Sequence, residues 1–205
     1  MVKTRRGYIA ALSGLTATSI AGCMGDDNPD VKQVESLPTP FLGDEDAPVT
    51  VMVFEDFRCS YCKSFNEEIA PMLINEYVES GEIQYQHHDY PILGQESVIA
   101  ANSARAVQNE TDNETFWNYS QLIYENQNSI GSNLYEEAAN QVGATGETVS
   151  EEAANLKYQP VIEADTDLGE SLSVNGTPTV VVEGEKVEPG QNYGQSIALA
   201  IEDNL

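Results

Sequence analysis

Two cysteines, Cys59 and Cys62, are separated by only Ser60 and Tyr61. They lie where a strand-like apolar run passes into a helical pattern, so the spacing places both on the first turn of a helix. There they can close a small disulfide ring, and the first lies at the helix N-terminus, where free N–H groups and the helix dipole stabilise an anion. A thiolate in that position has a lowered pKa and attacks disulfides at neutral pH. We therefore assign Cys59 as the nucleophile and Cys62 as the thiol that resolves the mixed disulfide.

Two other uses of this pair stay open from the residues alone. A structural zinc site would need two further ligands, and the chain offers only Cys23, His87 and His88. Adjacent histidines on a strand point to opposite faces, which favours a structural role for both. A copper carrier tends to use soft ligands in number, whereas this chain has four methionines. A purely structural disulfide is the second alternative. The redox interpretation requires neither a metal nor an organic cofactor.

The hydrophobic pattern around the pair predicts the elements that hold it. Val49–Phe54 is apolar on both faces, as expected of a strand in the middle of a sheet. Apolar residues then recur at helical spacing over about 60–80, with a kink expected at Pro71. A second strand near Glu82–His88 would complete a β-α-β unit.

The second half of the chain predicts a helical block followed by two strands and a helix. Residues from about 95 to 172 are mostly helix-forming, with helices expected near 96–109, 114–126, 133–142 and 150–171. Beyond a turn at Asn175–Pro178, the pattern predicts strands at 179–183 and 186–188 and a helix at 192–202. This order indicates an α/β architecture with an all-helical insertion.

The first forty residues have the pattern of a targeting sequence. A twin arginine, Arg5-Arg6, precedes an apolar stretch that ends at Gly22 and is too short to span a bilayer, which takes ~20 apolar residues. The pattern predicts a signal peptide over residues 1–22 with a twin-arginine export route. Cys23 directly after Ala-Gly resembles a lipoprotein box, which would give it a lipid anchor, and an incidental cysteine is the alternative. Residues 23–40 lack a hydrophobic period and predict a flexible tether.

The charge balance excludes one class of partner. The chain carries 34 acidic and 9 basic residues, for a formal net charge of −25. Nucleic acid is therefore not an expected partner, because binding it depends on lysine and arginine that neutralise phosphates. The acidity could steer substrates or keep the surface soluble at high salt. Because the acidic residues are spread from Asp26 to Asp203, we favour a halophilic surface.

Several motifs together resemble the DsbA-like branch of the thioredoxin superfamily. They are Gly43–Val51, Phe54–Cys62, Tyr90–Ile92, Ala100-Ala101, Phe116-Trp117 and Val174–Thr179. The resemblance covers the domain from residue 41 to residue 205. It implies a thioredoxin fold with an all-helical insertion over about 95–172, and a cis peptide bond at Pro178 that faces the cysteine pair. The backbone at Thr177 would pair with an extended substrate segment, and its side chain would tune the pair.

The resemblance also implies an activity and a location. The expected enzyme is a protein thiol–disulfide oxidoreductase, anchored outside the cytoplasm by Cys23, that oxidises thiols of exported proteins through Cys59 and Cys62. A membrane redox partner would reoxidise the pair. Reduction or isomerisation by the same fold is one alternative, and a lipid-anchored metal-binding chaperone is the other.

Two positions depart from the family's pattern. Many relatives carry a buried acid six residues before the first cysteine as a proton relay, whereas this chain has Val53 there, with Glu55 and Asp56 nearby. Strongly oxidising relatives also place a histidine between the cysteines. Here serine and tyrosine separate them and Arg58 is the nearest cation in sequence, so we expect weaker stabilisation of the thiolate.

Overall fold

A five-stranded mixed sheet forms the centre of the computed structural model, which describes residues 32–205. In sheet order the strands are β1 (Phe41–Leu42), β3 (Ile83–Asp89), β2 (Val49–Glu55), β4 (Thr179–Val182) and β5 (Glu185–Lys186). Strand β2 pairs parallel with β3 and antiparallel with β4. Its alternate residues enter two different hydrophobic clusters, one on each face. The predicted central strand is therefore confirmed.

The helix after β2 is interrupted, as its proline predicts. It consists of α1 (Ser60–Glu68), α2 (Ala70–Leu73) and a π-helical turn over Ile74–Val78. The break falls at Ile69, and Pro71 lies in the first turn of α2, where its missing N–H leaves no intrahelical hydrogen bond unmade.

Five α-helices separate β3 from β4 and form the insertion. They are α3 (Gln95–Glu110), α4 (Asn113–Glu125), α5 (Ser132–Val142), α6 (Gly146–Ala154) and α7 (Gln159–Ser171). The helix predicted over 150–171 was wrong in one respect, because the structure divides it. Leu156 adopts a left-handed backbone with φ of 51°, and Pro160 occupies the first turn of α7, so no helix can run through this stretch. The last helix, α8, spans Tyr193–Glu202.

Two hydrophobic clusters meet at the cysteine pair. Sheet residues and helices α1, α2 and α8 form one cluster. The insertion forms the other, which also takes in Phe57, Cys59 and Cys62. Trp117 packs against both clusters. The pair thus lies at the seam between sheet and insertion, where both bodies determine its surroundings.

The segment that leads into β1 lies against the insertion. Val34 and Leu37 pack on its core, and Gln108 Nε2 donates a 2.7 Å hydrogen bond to the Pro38 carbonyl. The flexible tether predicted over residues 23–40 therefore differs from the structure at its C-terminal end. Two apolar residues three apart form too short a pattern to predict such packing.

The remaining N-terminal predictions concern residues 1–31, which lie outside the described residues. These are the signal peptide over 1–22, the lipidated Cys23 and the first part of the tether. Within residues 32–205, no helix combines the length and the apolar character that a membrane span requires.

Buried charged side chains join the sheet to the insertion. Arg105 of α3 donates 2.6 Å hydrogen bonds to Asp89 of β3 and to Asp165 of α7. Although burial opposes its charge, Arg105 and His87 lower the pKa of Asp89 to about 2. His88 contacts Asp165 at 2.8 Å, whereas His87 contacts Asp89 at 3.1 Å. The adjacent histidines thus have different partners, as predicted from strand alternation.

Replacing Arg105 tests whether this network fastens the insertion to the sheet. Arg105→Met leaves Asp89 and Asp165 buried without the guanidinium that they share, so the free energy of unfolding should fall by about 3–5 kcal/mol. Urea denaturation measures the loss. The control Lys186→Met removes an exposed pair with Glu188 and should cost less than about 1 kcal/mol. Equally small losses in both variants would contradict the role of the network.

Candidate active site

A short loop at the carboxyl end of β2 presents the cysteine pair. The Asp56 carboxylate accepts hydrogen bonds from the backbone N–H groups of Arg58 at 2.8 Å and Leu93 at 3.0 Å. The Cys59 N–H donates to the Asp56 carbonyl at 2.9 Å, which closes the turn. This turn makes Cys59 the N-cap of α1 and places Cys62 in its first turn, as the sequence predicts.

The insertion also holds this loop through a residue that sequence reasoning missed. Gln127 donates through Nε2 to the carbonyls of Phe57 at 2.8 Å and Cys59 at 2.9 Å. Nothing in the local sequence connects residue 127 with the cysteines, because the contact spans about 70 positions and depends on how the insertion folds back.

The environment of Cys59 favours its thiolate. The main cause that lowers the pKa of Cys59 is a hydrogen bond from the Cys62 thiol. Partial burial acts in the opposite direction. Hydrogen bonds from Thr177 and from the N–H groups of Cys62 and Tyr61 lower the pKa further. The pKa falls to about 5 from an ordinary value of 9.0. Cys59 is the N-cap residue of α1, so the positive end of the helix dipole also favours its anion.

Arg58 is engaged with another loop. Its guanidinium donates a 3.1 Å hydrogen bond to the Leu93 carbonyl, and the largest causes that lower the pKa of Cys59 come from other residues. The expectation that the thiolate is stabilised less than in relatives with a histidine between the cysteines stays a prediction. In this chain the second thiol and the backbone N–H groups of the first turn lower the pKa of Cys59.

Cys62 has the opposite character. It has no solvent exposure, and burial is the main cause that raises its pKa well above the ordinary range, followed by the hydrogen bond to Cys59 and the charge of Glu55. At neutral pH one thiol of the pair is therefore ionised and the other keeps its proton. This asymmetry matches the predicted roles of nucleophile and resolving thiol.

The loop before β4 covers the pair on one side. The Thr177–Pro178 peptide bond is cis, as the family resemblance implied. The Cys59 sulfur lies 3.3 Å from the Thr177 carbonyl oxygen, which brings together residues 118 positions apart in the chain. Thr177 and Pro178 also line a cleft of about 300 Å³ with Tyr61 and Tyr193.

Large apolar side chains are exposed beside the pair. Tyr61 is 76% exposed, and Ile92 and Leu93 are each about half exposed. Tyr61 borders the cleft at Thr177, and Leu93 is hydrogen-bonded to the Asp56–Arg58 loop. An exposed apolar surface next to a reactive sulfur is suited to contact with another polypeptide.

A buried carboxylate lies behind the pair. Glu55 accepts a 2.6 Å hydrogen bond from Asn66 Nδ2, which also donates to the Cys62 carbonyl at 3.0 Å. The imidazole of His87 lies 3.3 Å from the other oxygen of Glu55. Burial raises the pKa of Glu55, and His87 and Asn66 oppose that shift. Val53, at the position where many relatives carry their acid, is packed in the sheet cluster.

Within residues 32–205, no group of three or more histidine, cysteine, aspartate and glutamate side chains is arranged to hold a metal ion. His87 and His88 are engaged with carboxylates on different faces of β3. Neither histidine therefore joins the cysteines in a four-ligand set of the kind a structural zinc site needs.

Comparison with known proteins identifies the relatives of this site. A family model described as thioredoxin matches residues 35–201. Disulfide bond formation protein D of Bacillus subtilis strain 168 is 27% identical over 162 residues, which are 76% of this chain and 72% of that protein. The crystal structure of oxidised BdbD from Bacillus subtilis has a TM-score of 0.74 at 26% identity, covering 84% of this chain and 98% of that one. Chlamydia trachomatis DsbA, at 18% identity, shares the fold with a TM-score of 0.71 over 83% of this chain and 94% of its own.

The lowered pKa of Cys59 predicts how reactivity and stability depend on pH. Alkylation of the reduced protein by iodoacetamide should be nearly independent of pH above about 6.5 and fall as the thiolate titrates near 5. Because an unfolded chain keeps the ordinary value of 9.0, it binds more protons between these values. The stability of the reduced fold should therefore rise over this interval and be lost as the pH falls towards 5.

Thiolate absorbance at 240 nm during a pH titration measures the same group directly. Cys62→Ala removes the hydrogen bond that contributes most to the shift, so the titration of Cys59 should move to higher pH in this variant. A wild-type midpoint near the ordinary value of 9.0 would contradict the assigned environment.

Proposed function

The chain belongs to the thioredoxin family, and from that membership we propose that it is an extracytoplasmic protein thiol–disulfide oxidoreductase that oxidises thiols of exported proteins. The observation that carries the proposal is the unequal pair at the start of α1, with a stabilised thiolate at Cys59 and a buried thiol at Cys62. Its similarity to a protein named for disulfide bond formation supports the same reaction.

The reaction runs through a mixed disulfide. A substrate thiolate attacks Cys59 in the Cys59–Cys62 disulfide; the bond between the two cysteines breaks, and Cys62 leaves and takes up a proton. A second substrate thiolate then attacks the substrate sulfur of the mixed disulfide, and Cys59 leaves as a thiolate. The substrate gains a disulfide, and the pair gains two electrons. The low pKa of Cys59 makes it a good leaving group, which favours this direction.

Substrate binding is assigned to the loop at Thr177 and Pro178. The backbone of Thr177 would pair with an extended segment of the substrate, so that the substrate sulfur lies next to Cys59. The exposed side chains of Tyr61 and Leu93 would cover apolar residues on either side of the reacting cysteine. Such a surface suits unfolded or partly folded protein chains rather than small thiols.

The location is proposed from residues 1–31. Residues 1–22 would direct export, Cys23 would carry the lipid anchor, and the residues between Cys23 and Val34 would tether the domain of residues 41–205 to the membrane. The spread of acidic side chains would keep this domain soluble at high salt. A membrane redox partner would accept the two electrons and restore the Cys59–Cys62 disulfide.

Disulfide transfer to a reduced protein tests the activity. The oxidised wild-type protein should restore activity to a reduced, unfolded enzyme that needs its disulfides. Cys59→Ser should abolish this transfer, and Cys62→Ser should accumulate a mixed disulfide, because its resolving thiol is missing. Ser171→Ala, on the exposed part of α7, is the matched control. Full activity in Cys59→Ser would refute the mechanism.

Equilibration with glutathione at high salt decides the direction of the same activity. We expect the reduction potential of the pair to lie nearer to about −120 mV than to about −270 mV, since a stabilised thiolate favours the reduced protein and so makes the disulfide a strong oxidant. A potential at the reducing end would assign the chain to disulfide reduction instead.

The anchor has a separate test. In a host that processes lipoproteins, the wild-type protein should partition into detergent and carry the added mass of acyl chains on Cys23. Cys23→Ser should move to the aqueous phase, while Cys59→Ser should partition like the wild type. A mature wild-type protein of unmodified mass would contradict the lipid anchor.

A further inference from the structure

The loop that presents Cys59 is fastened from two sides. Asp56 binds its N–H groups: the carboxylate accepts from the Arg58 N–H at 2.8 Å, and the Asp56 carbonyl accepts from the Cys59 N–H at 2.9 Å. Two carbonyl groups of the same loop are instead bound by the insertion, through the side chain of Gln127. Contacts within the loop therefore account for its N–H groups, and the insertion accounts for these carbonyls.

One amide group makes both contacts of the insertion. Nε2 of Gln127 donates to the Phe57 carbonyl at 2.8 Å and to the Cys59 carbonyl at 2.9 Å. A side-chain amide has two N–H groups, so both are used, and they hold the carbonyls on either side of Arg58 at a fixed separation. Phe57 is 2% exposed, and within residues 32–205 its carbonyl accepts no other hydrogen bond. Removing the amide would therefore leave a buried carbonyl without a partner.

Gln127 is itself held in place from α1. It begins the short 3-10 turn that follows α4. Nζ of Lys63 donates to the carbonyls of Tyr124 at 2.8 Å and Glu125 at 3.2 Å, at the end of α4. The ring of Tyr124 also packs on that of Phe57, with the centroids 5.0 Å apart. The end of α4 and the start of α1 thus bind each other through contacts in both directions.

The orientation of the Cys59 peptide group decides what surrounds the Cys59 sulfur. Cys59 is the N-cap residue of α1, with ψ of 118°, and its carbonyl also accepts the first helical hydrogen bond, from the Lys63 N–H at 3.1 Å. Rotation about ψ would turn the first turn of α1 relative to the sulfur. That turn carries the N–H groups of Tyr61 and Cys62, which hydrogen-bond the sulfur. A group that fixes the direction of the Cys59 carbonyl therefore also fixes how well these N–H groups face the sulfur.

We propose that Gln127 is a positioning residue for the redox pair: by holding the carbonyls of Phe57 and Cys59, its amide keeps the Cys59 sulfur facing the N–H groups of the first turn. The insertion then does more than cover the pair, because it determines how strongly the reduced form is stabilised. The inference rests on the proposed function for its biological meaning. A better stabilised thiolate is a better leaving group and makes the disulfide a stronger oxidant.

Gln127→Met tests the proposal, because methionine has nearly the same length and no donor. In the reduced variant the midpoint of the thiolate titration at 240 nm should rise by about one pH unit, which corresponds to about a tenfold loss of thiolate stabilisation. In equilibrium with glutathione at neutral pH the disulfide should become about tenfold less oxidising, or about 30 mV for a two-electron couple. A titration and a potential equal to those of wild type would overturn the proposal.

Gln108→Met is the matched control for a general loss of stability. Nε2 of Gln108 also ties the insertion to a backbone carbonyl, that of Pro38 at 2.7 Å, and it contacts neither cysteine. Urea denaturation should show a loss of stability in both variants, whereas only Gln127→Met should move the thiolate titration. If Gln108→Met moves the titration as far, the effect is a general loosening of the insertion and the proposal fails.

A conservative variant separates the amide from the space that it fills. Gln127→Asn keeps both donor hydrogens on a side chain one methylene shorter, so its midpoint should lie between those of wild type and Gln127→Met. A midpoint above that of Gln127→Met would overturn the proposal. Should Gln127→Met fail to fold, Gln127→Asn carries the test, with a midpoint above wild type as the expected result and a wild-type midpoint as the contradiction.

Combination with Cys62→Ala identifies the route of the effect. Cys62→Ala removes the thiol hydrogen bond to Cys59 but leaves the N–H groups of the first turn. If Gln127 acts through the orientation of the backbone, Gln127→Met should raise the midpoint by about the same amount in this background, as expected of contributions that do not depend on each other. Loss of the effect would assign it to the second thiol and overturn the proposal.

Failure of the inference is distinct from failure of the proposed function. If wild type transfers disulfides to a reduced protein but Gln127→Met titrates at the wild-type midpoint, only the inference fails. If wild type transfers none while Gln127→Met still raises the midpoint, the positioning role stands and the oxidase assignment fails.

Discussion

One helix turn holds two sulfur atoms in opposite environments, and the rest of the structure depends on that difference. Cys59 caps α1, where backbone N–H groups and a neighbouring thiol lower its pKa to about 5. Cys62, three residues on, faces the interior, where burial raises its pKa. Residues three apart lie on the same side of a helix, so the two sulfur atoms differ in their position along the axis rather than in direction. Cys59 lies at the helix N-terminus and keeps 7% exposure, whereas Cys62 lies within the first turn and has none.

The insertion covers Cys62. This also buries charged side chains, which costs free energy that their ion-pair network offsets. Covering Cys62 also buries Glu55, His87 and Asp89, which end the two parallel strands β2 and β3. Buried charges of this kind persist only when each has partners. Arg105 and Asp165 supply these partners from α3 and α7. Although burial favours neutral imidazole, Asp89 and Glu55 raise the pKa of His87 to about 9, so a buried cation contacts the carboxylate behind the pair.

The sequence predicted the parts of this arrangement that have a local pattern. The apolar run of β2, the cysteine spacing and the proline in α2 each determine structure within about one element, and the structure agrees with them. The cis peptide at Pro178 and its contact with Cys59 came from family resemblance, not from the residues alone. Contacts between distant positions of the chain had no signal in the sequence. Examples are the hydrogen bond from Gln127 to the cysteine loop and the packing of Val34 on the insertion. Each depends on the tertiary path of the chain, which periodicity does not contain.

The replacement of the usual buried acid by Val53 follows from strand geometry. Side chains two positions apart on a strand point to the same face, so Glu55 lies on the face of β2 that Val53 occupies, one step nearer the cysteines. Val53 then completes the apolar row with Val49 and Val51 in the sheet cluster. Moving the carboxyl group to the last residue of β2 places it where Asn66 and His87 can satisfy it. A carboxylate at residue 53 would lie deeper in that apolar row, whereas at residue 55 it has partners at hydrogen-bond distance. The departure from the family pattern is therefore a displacement of the acid along one face of the strand, and the site keeps a titratable group beside its buried thiol.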